Sequence, residues 1–177
     1  MSTIQSGTGR VRPFLGMLAL GVALLFGVVP VDAAHAQTSP EDRSRFIAIT
    51  RNLEEDPLRA DARADRTWAL DWLMEAPDVS VTICQTSLGG LEDDYPHNGA
   101  ILLQYAFVMA VLIIEHPETA GDMNTQQAAG IEGALRAYRA ILGAEPGARS
   151  PALDSLLEIE ARGGVAEYVQ SNAANCS

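Results

Sequence analysis

The chain reads as all-α, an irregular bundle of about six to seven helices. Three observations carry that expectation. Apolar residues recur at three- and four-residue spacings in most segments after residue 39. Prolines interrupt those segments at intervals suited to helix ends. One short run alone, Val79 to Ile83, alternates apolar and polar side chains as a strand does.

Each element can be justified in order. Ser39-Pro40 supplies an N-cap followed by proline at the first helical position, and Phe46, Ile49, Thr50 and Leu53 then share one largely apolar face. That first helix is expected to end before Pro57. The second is expected over Leu58 to Glu75. Arg59, Arg63 and Arg66 form one ridge on it, and Asp61 and Asp65 form another on nearly the opposite side. Like charges one turn apart cost a few tenths of a kcal/mol each, so neighbours are expected to neutralise them. The sharper reading makes the arginine ridge a docking stripe for a partner. Trp68 and Trp72 share a face one turn apart and are expected to pack in the core.

The alternating run has no second strand to pair with, so the sequence predicts a short helix from Asp78 to Leu88, stopped by Gly89-Gly90. An acidic loop follows, from Glu92 to His97. From Gly99 to Ile114, Gln104 is the one strongly polar side chain. A helix apolar all round is buried by others, so the Asn98 to His116 helix is expected at the centre. Asn124 to Leu142 is amphipathic, with Ile131, Leu135, Tyr138 and Leu142 on one face and Glu132 beside Arg136 on the other. Ser150-Pro151 starts a further helix bearing Leu153, Leu156 and Leu157, which Gly163-Gly164 stops. A last short helix carries Val165, Tyr168 and Val169, before a polar tail from Ser171.

Residues 1–36 read as an export signal rather than as part of this bundle. Arg10 and Arg12 precede an apolar run from Phe14 to Val29. Ala34-His35-Ala36 then places small residues where a signal peptidase cuts. Cleavage is expected between Ala36 and Gln37, with Gln37 as the new N-terminus. The apolar run is about 16 residues, short of the roughly 20 that a membrane span needs. Residues 37–177 are therefore expected as a single helical domain, periplasmic or secreted, with no stable membrane insertion after cleavage.

All 12 basic residues are arginine. Removing Arg10, Arg12 and Asp32 moves the net charge from −11 to about −12. So acidic a chain lacks the basic patch that nucleic acid or an anionic membrane surface requires. Cys84 and Cys176 are the two cysteines. Export to an oxidising compartment predicts a disulfide between them. Closing a loop of about 90 residues would stabilise the fold by roughly 4 kcal/mol in the chain-entropy model.

The chemistry of catalysis is sparse. No phosphate-cradling glycine loop, nucleophile elbow or zinc-binding pair at helical spacing is present. Glu92, Asp93, Asp94 and His97 could together hold a cation, but their spacing matches no metal loop and solvated acids explain them. No catalytic residue, metal ligand or cofactor-binding residue is assigned, and no cofactor is expected.

Three segments close on the same phrase: Glu55-Asp56-Pro57, Glu75-Ala76-Pro77 and Glu115-His116-Pro117, with Glu145-Pro146 as an imperfect fourth. Ala134, Tyr138, Ile141 and Pro146 also resemble the second helix of a tetratricopeptide repeat, which uses alanine, an aromatic, a small residue and proline at such spacings. The likeness covers about 13 residues. It implies α-solenoid hairpins with a concave groove for peptides or partner proteins.

The leading functional expectation is an exported interaction or scaffold module with a protein partner. An alternative is a carrier or sensor of an apolar small molecule, bound beside the 99–114 helix. A metal-dependent hydrolase centred on His97 ranks last.

Overall fold

A computed structural model describes residues 38–176. The expected export signal over residues 1–36 lies outside the described residues, as do Ser177 and the expected cleavage site between Ala36 and Gln37. Among the described residues are six α-helices and no strand: α1 (Pro40–Glu55), α2 (Ala62–Glu75), α3 (Asn98–Glu115), α4 (Met123–Ala144), α5 (Pro151–Ala161) and α6 (Val165–Asn172). Short 3-10 turns occupy Gln85–Leu88, Pro117–Gly121 and Ala173–Cys176. The chain is an all-helical bundle.

Local chemistry sets the helix ends. The Ser39 hydroxyl accepts the Asp42 N–H at 3.0 Å, and the Ser150 hydroxyl accepts the Leu153 N–H at 3.3 Å. Both helices then carry proline at the first position. The repeated proline phrase has a common conformational cause. Proline denies its predecessor the helical region, so the residue before it turns extended and closes the helix. Asp56 (φ −141°, ψ 79°), His116 (φ −134°, ψ 73°) and Glu145 (φ −129°, ψ 79°) adopt nearly one geometry. Each still donates its N–H to the carbonyl four residues back. Ala76, before Pro77, ends α2 in the same way at ψ 114°.

The central helix is apolar all round because it is the wall between two cores. Ile101, Tyr105 and Met109 on one side of α3 pack with Ile131, Leu135, Tyr138, Leu153 and Val169 from α4, α5 and α6. Phe107, Ala110 and Val111 on the other side pack with Phe46, Ile49, Leu53, Ala62 and Ala69 from α1 and α2. The phenyl ring of Phe46 meets Phe107 edge-on at 5.5 Å and Trp72 at 4.6 Å. Gln104, the one strongly polar side chain between Gly99 and Ile114, donates to the Thr50 carbonyl at 3.0 Å and so ties α3 to α1. Among the described residues α3 is also the one helix long and apolar enough to cross a membrane, as core helices often are.

The turn at Pro117–Gly121 brings α4 back along α3, and two glycines set how closely they approach. A Cβ on Gly133 would lie 2.3 Å from Cγ2 of Val108, and one on Gly130 would lie 2.7 Å from the Tyr105 ring. Ala134, Tyr138 and Ile141 are all buried in this same helix, while Pro146 is exposed in the loop beyond it.

Two expectations need correction. The helix expected from Asp78 to Leu88 is absent over most of its length: residues 79–84 are neither helix nor strand, and only Gln85–Leu88 coils, as a 3-10 turn. The β-branched run Val79, Val81, Thr82 and Ile83 disfavours a helix, and the segment finds tertiary anchors instead of strand partners. The second helix starts at Ala62 rather than Leu58, so Arg59 lies in the preceding turn. From there Arg59 reaches across to ion-pair with Asp65, which a position on the opposite ridge of one helix would have prevented.

Candidate docking groove

Three structural features converge on a groove of about 440 Å³ between α2 and α3. α2 contributes Leu70, Leu73 and Met74, spaced so that all three reach one flank. α3 contributes Leu103 and Ala106. The irregular segment supplies the third wall, with Val79, Val81 and Ile83. No acidic or basic side chain lines the groove.

Its rim is unusual for this molecule. Met74 is 69% exposed and Ile83 is 47% exposed, whereas nearly every other large hydrophobic side chain among the described residues is buried or half-buried. Met123, at the start of α4, is the other exception. Single exposed apolar residues are ordinary; two on the lip of one apolar groove form a patch.

The third wall is held at both ends and free between. Asp78 accepts the Thr38 N–H at 3.3 Å and ion-pairs with Arg43, whose Nε donates to the Thr38 hydroxyl at 2.7 Å. Burial raises the Asp78 carboxyl, but the Thr38 hydrogen bonds and the Arg43 guanidinium outweigh it and hold the group below the usual aspartate range. At the other end Cys84 is joined to Cys176, with Cα atoms 5.4 Å apart, and its carbonyl accepts the Ser87 N–H at 3.0 Å. Between these anchors, the backbone N–H and C=O groups of Val79 to Ile83 make no hydrogen bond among the described residues. Val79 is buried, at 3% exposure, while Ser80 and Thr82 face solvent.

The arginines singled out in the sequence lie elsewhere on α2 and its preceding turn. Arg59 is spent on Asp65, and Arg66 donates to the Pro57 carbonyl. Burial lowers the Arg66 pKa, and the neighbouring Arg59 charge lowers it further. Arg63 is exposed, beside a shallow shelf that Trp68 and Asp71 also line. Trp68 stacks on Trp72 at 6.4 Å and carries the Arg45 guanidinium 3.9 Å above its ring.

The acidic loop disperses into separate structural bonds. His97 Nε2 meets Glu145 Oε2 at 2.9 Å, and Glu92 accepts the Ser150 hydroxyl at 2.7 Å. Asp93 and Asp94 point to solvent. Nearby, Tyr95 donates to the Ala148 carbonyl at 3.1 Å and Tyr138 donates to Asp154 at 2.8 Å. Burial, then the charges of neighbouring acidic groups, push the Tyr95 hydroxyl up to about 12. This network fastens the Glu145 to Ser150 loop to the bundle. Among the described residues no three histidine, cysteine or acidic side chains converge as metal ligands would.

Sequence reasoning flagged the alternation of residues 79–83 but not that these residues wall a groove. It missed Met74, since an apolar residue near a helix end carries no signal of exposure. Comparison with protein-family models, curated proteins and solved structures finds no match for this chain.

Proposed function

We propose that this chain is an exported helical interaction module that docks a partner protein in the groove between α2 and α3. The observation carrying this reading is the pairing of Met74 and Ile83, large apolar side chains left exposed on the lip of an uncharged groove. Burying such side chains contributes about 1.5–3 kcal/mol each, which is the scale of an interface anchor. Export is supported by the Arg10, Arg12, Phe14 to Val29 and Ala34-His35-Ala36 pattern ahead of Gln37, and by a cysteine pair suited to an oxidising compartment. The acidic composition makes a nucleic-acid partner unfavourable.

A photo-crosslinking residue in place of Met74 tests the docking surface in the extracytoplasmic fraction of expressing cells. A single adduct is expected, absent with the same residue at exposed Ser155 on α5 and lost on adding Ile83→Asp. Equal labelling at both positions would remove the proposal. The uncharged lining and the volume of about 440 Å³ also suit the second reading, a carrier of an apolar small molecule. Native mass spectrometry of the purified chain separates the two, since a carrier retains a ligand of a few hundred daltons.

A further inference from the structure

We infer that the partner enters as an extended segment that pairs its backbone with Val79 to Ile83, and that this segment carries basic residues. The inference rests on the docking reading above and names what that groove recognises. Two independent observations support it.

The first is the unpaired main chain. A polypeptide segment whose N–H and C=O groups lack partners is a template for strand addition. Here that segment is five residues long, with its outer neighbours fastened by the Arg43–Asp78 ion pair and the Cys84–Cys176 disulfide. Ala76 (ψ 114°) and Cys84 (φ −110°, ψ 98°), on either side, are both extended. A receptor strand fixed in this way costs little ordering entropy on binding. Its apolar alternation then sets the partner's: every second side chain of the incoming strand faces the groove floor of Leu73, Leu103 and Ala106.

The second is charge. From Pro77 to Leu91 the only charged side chain is Asp78, already committed to Arg43, and α3 carries none from Asn98 to Ile114. The free charge adjoining the groove is Glu75, exposed at the end of α2 between the lining residues Met74 and Ala76 and outside every ion pair among the described residues. It is negative, on a chain of net charge −11. A second copy of this chain would bring the same acid against itself, and an acidic partner would be repelled too. An extended segment that alternates apolar and basic residues satisfies floor, backbone and rim together.

Three synthetic heptapeptides test this with the processed, disulfide-intact chain. One alternates valine with arginine, one replaces arginine with glutamate, and one is the arginine peptide with alternate backbone nitrogens methylated. The arginine peptide is expected to bind in the micromolar range, with slowed hydrogen exchange at alternate amides between Val79 and Ile83. The glutamate and the methylated peptides are expected to bind at least tenfold more weakly. Glu75→Gln should erase the preference for arginine over glutamate while leaving the far-ultraviolet circular dichroism unchanged. Equal affinity for the methylated peptide, a preference for glutamate, or no binding by any peptide would overturn the inference. So would protection of Ser80 to Ile83 in the free chain that vanishes on dilution, which would mark pairing between two copies. A specific Met74 adduct combined with any of these outcomes leaves the docking surface standing and sinks strand addition alone.

Discussion

Gly133 shows how a single hydrogen atom in place of a methyl shapes the molecule. In a helix interior, alanine is favoured over glycine by about 1 kcal/mol. Against that, a Cβ at this position would sit 2.3 Å from Cγ2 and 2.8 Å from Cβ of Val108. The clash is with a branched side chain near its root, on a helix packed from both sides, so no flexible end is available to swing away. Overpacking of this kind costs about 1–3 kcal/mol. We therefore expect Gly133→Ala to lower the urea midpoint. By contrast Gly143, with open space around its missing Cβ, should gain or hold stability when changed to alanine. Equal responses at the two sites would show that α4 can move off α3 freely.

At the scale of elements, the segment from Asp78 to Leu88 is the instructive case. Its sequence carries a strand's alternation in a chain whose described residues form no strand, and both available assignments, helix or strand, misdescribe it. The segment is held by what it is tied to. Asp78 is the first of these ties, and its depressed carboxyl pKa links it to pH. A carboxylate whose folded pKa lies below its unfolded value of about 3.9 stabilises the fold above that value, and the contribution is lost as pH falls through the folded pKa. Asp78→Asn should thus destabilise the chain by about 1 kcal/mol at neutral pH, with the deficit shrinking toward zero as pH falls through the lowered folded pKa. Urea unfolding at several pH values checks this. A deficit that does not change with pH would mean that the substitution acts through packing and not through charge.

For the molecule as a whole, the cysteine pair joins ends that sequence separates widely. Cys84 and Cys176 are 92 residues apart, and their bond sets the Ala173–Cys176 turn against the Gln85–Leu88 turn. In the chain-entropy account such a closure contributes roughly 4 kcal/mol. Cys84→Ser with Cys176→Ser is expected to lower stability by about 2–4 kcal/mol, and reduction of the unaltered chain should do the same. The groove shares this anchor, because Ile83 precedes Cys84 directly. Peptide binding by the double variant should weaken along with its stability. A double variant as stable as the parent would show that α6 alone, through buried Val165 and Val169, fixes the tail.

Helical class, the proline-closed ends, the serine caps and the central place of Asn98 to His116 were all determined by the sequence. Each depends on interactions within a few residues, or on a composition so apolar that burial is its only stable outcome. Tertiary structure alone decided that Arg59 leaves the second helix to meet Asp65, that residues 79–83 stay unpaired, and that Met74 and Ile83 share one open groove. Those outcomes turn on which surfaces α1, α3 and the tail cover, a competition among distant segments that no local pattern records. Covering Met74 would take one more packed element, and among residues 38–176 none is placed over it.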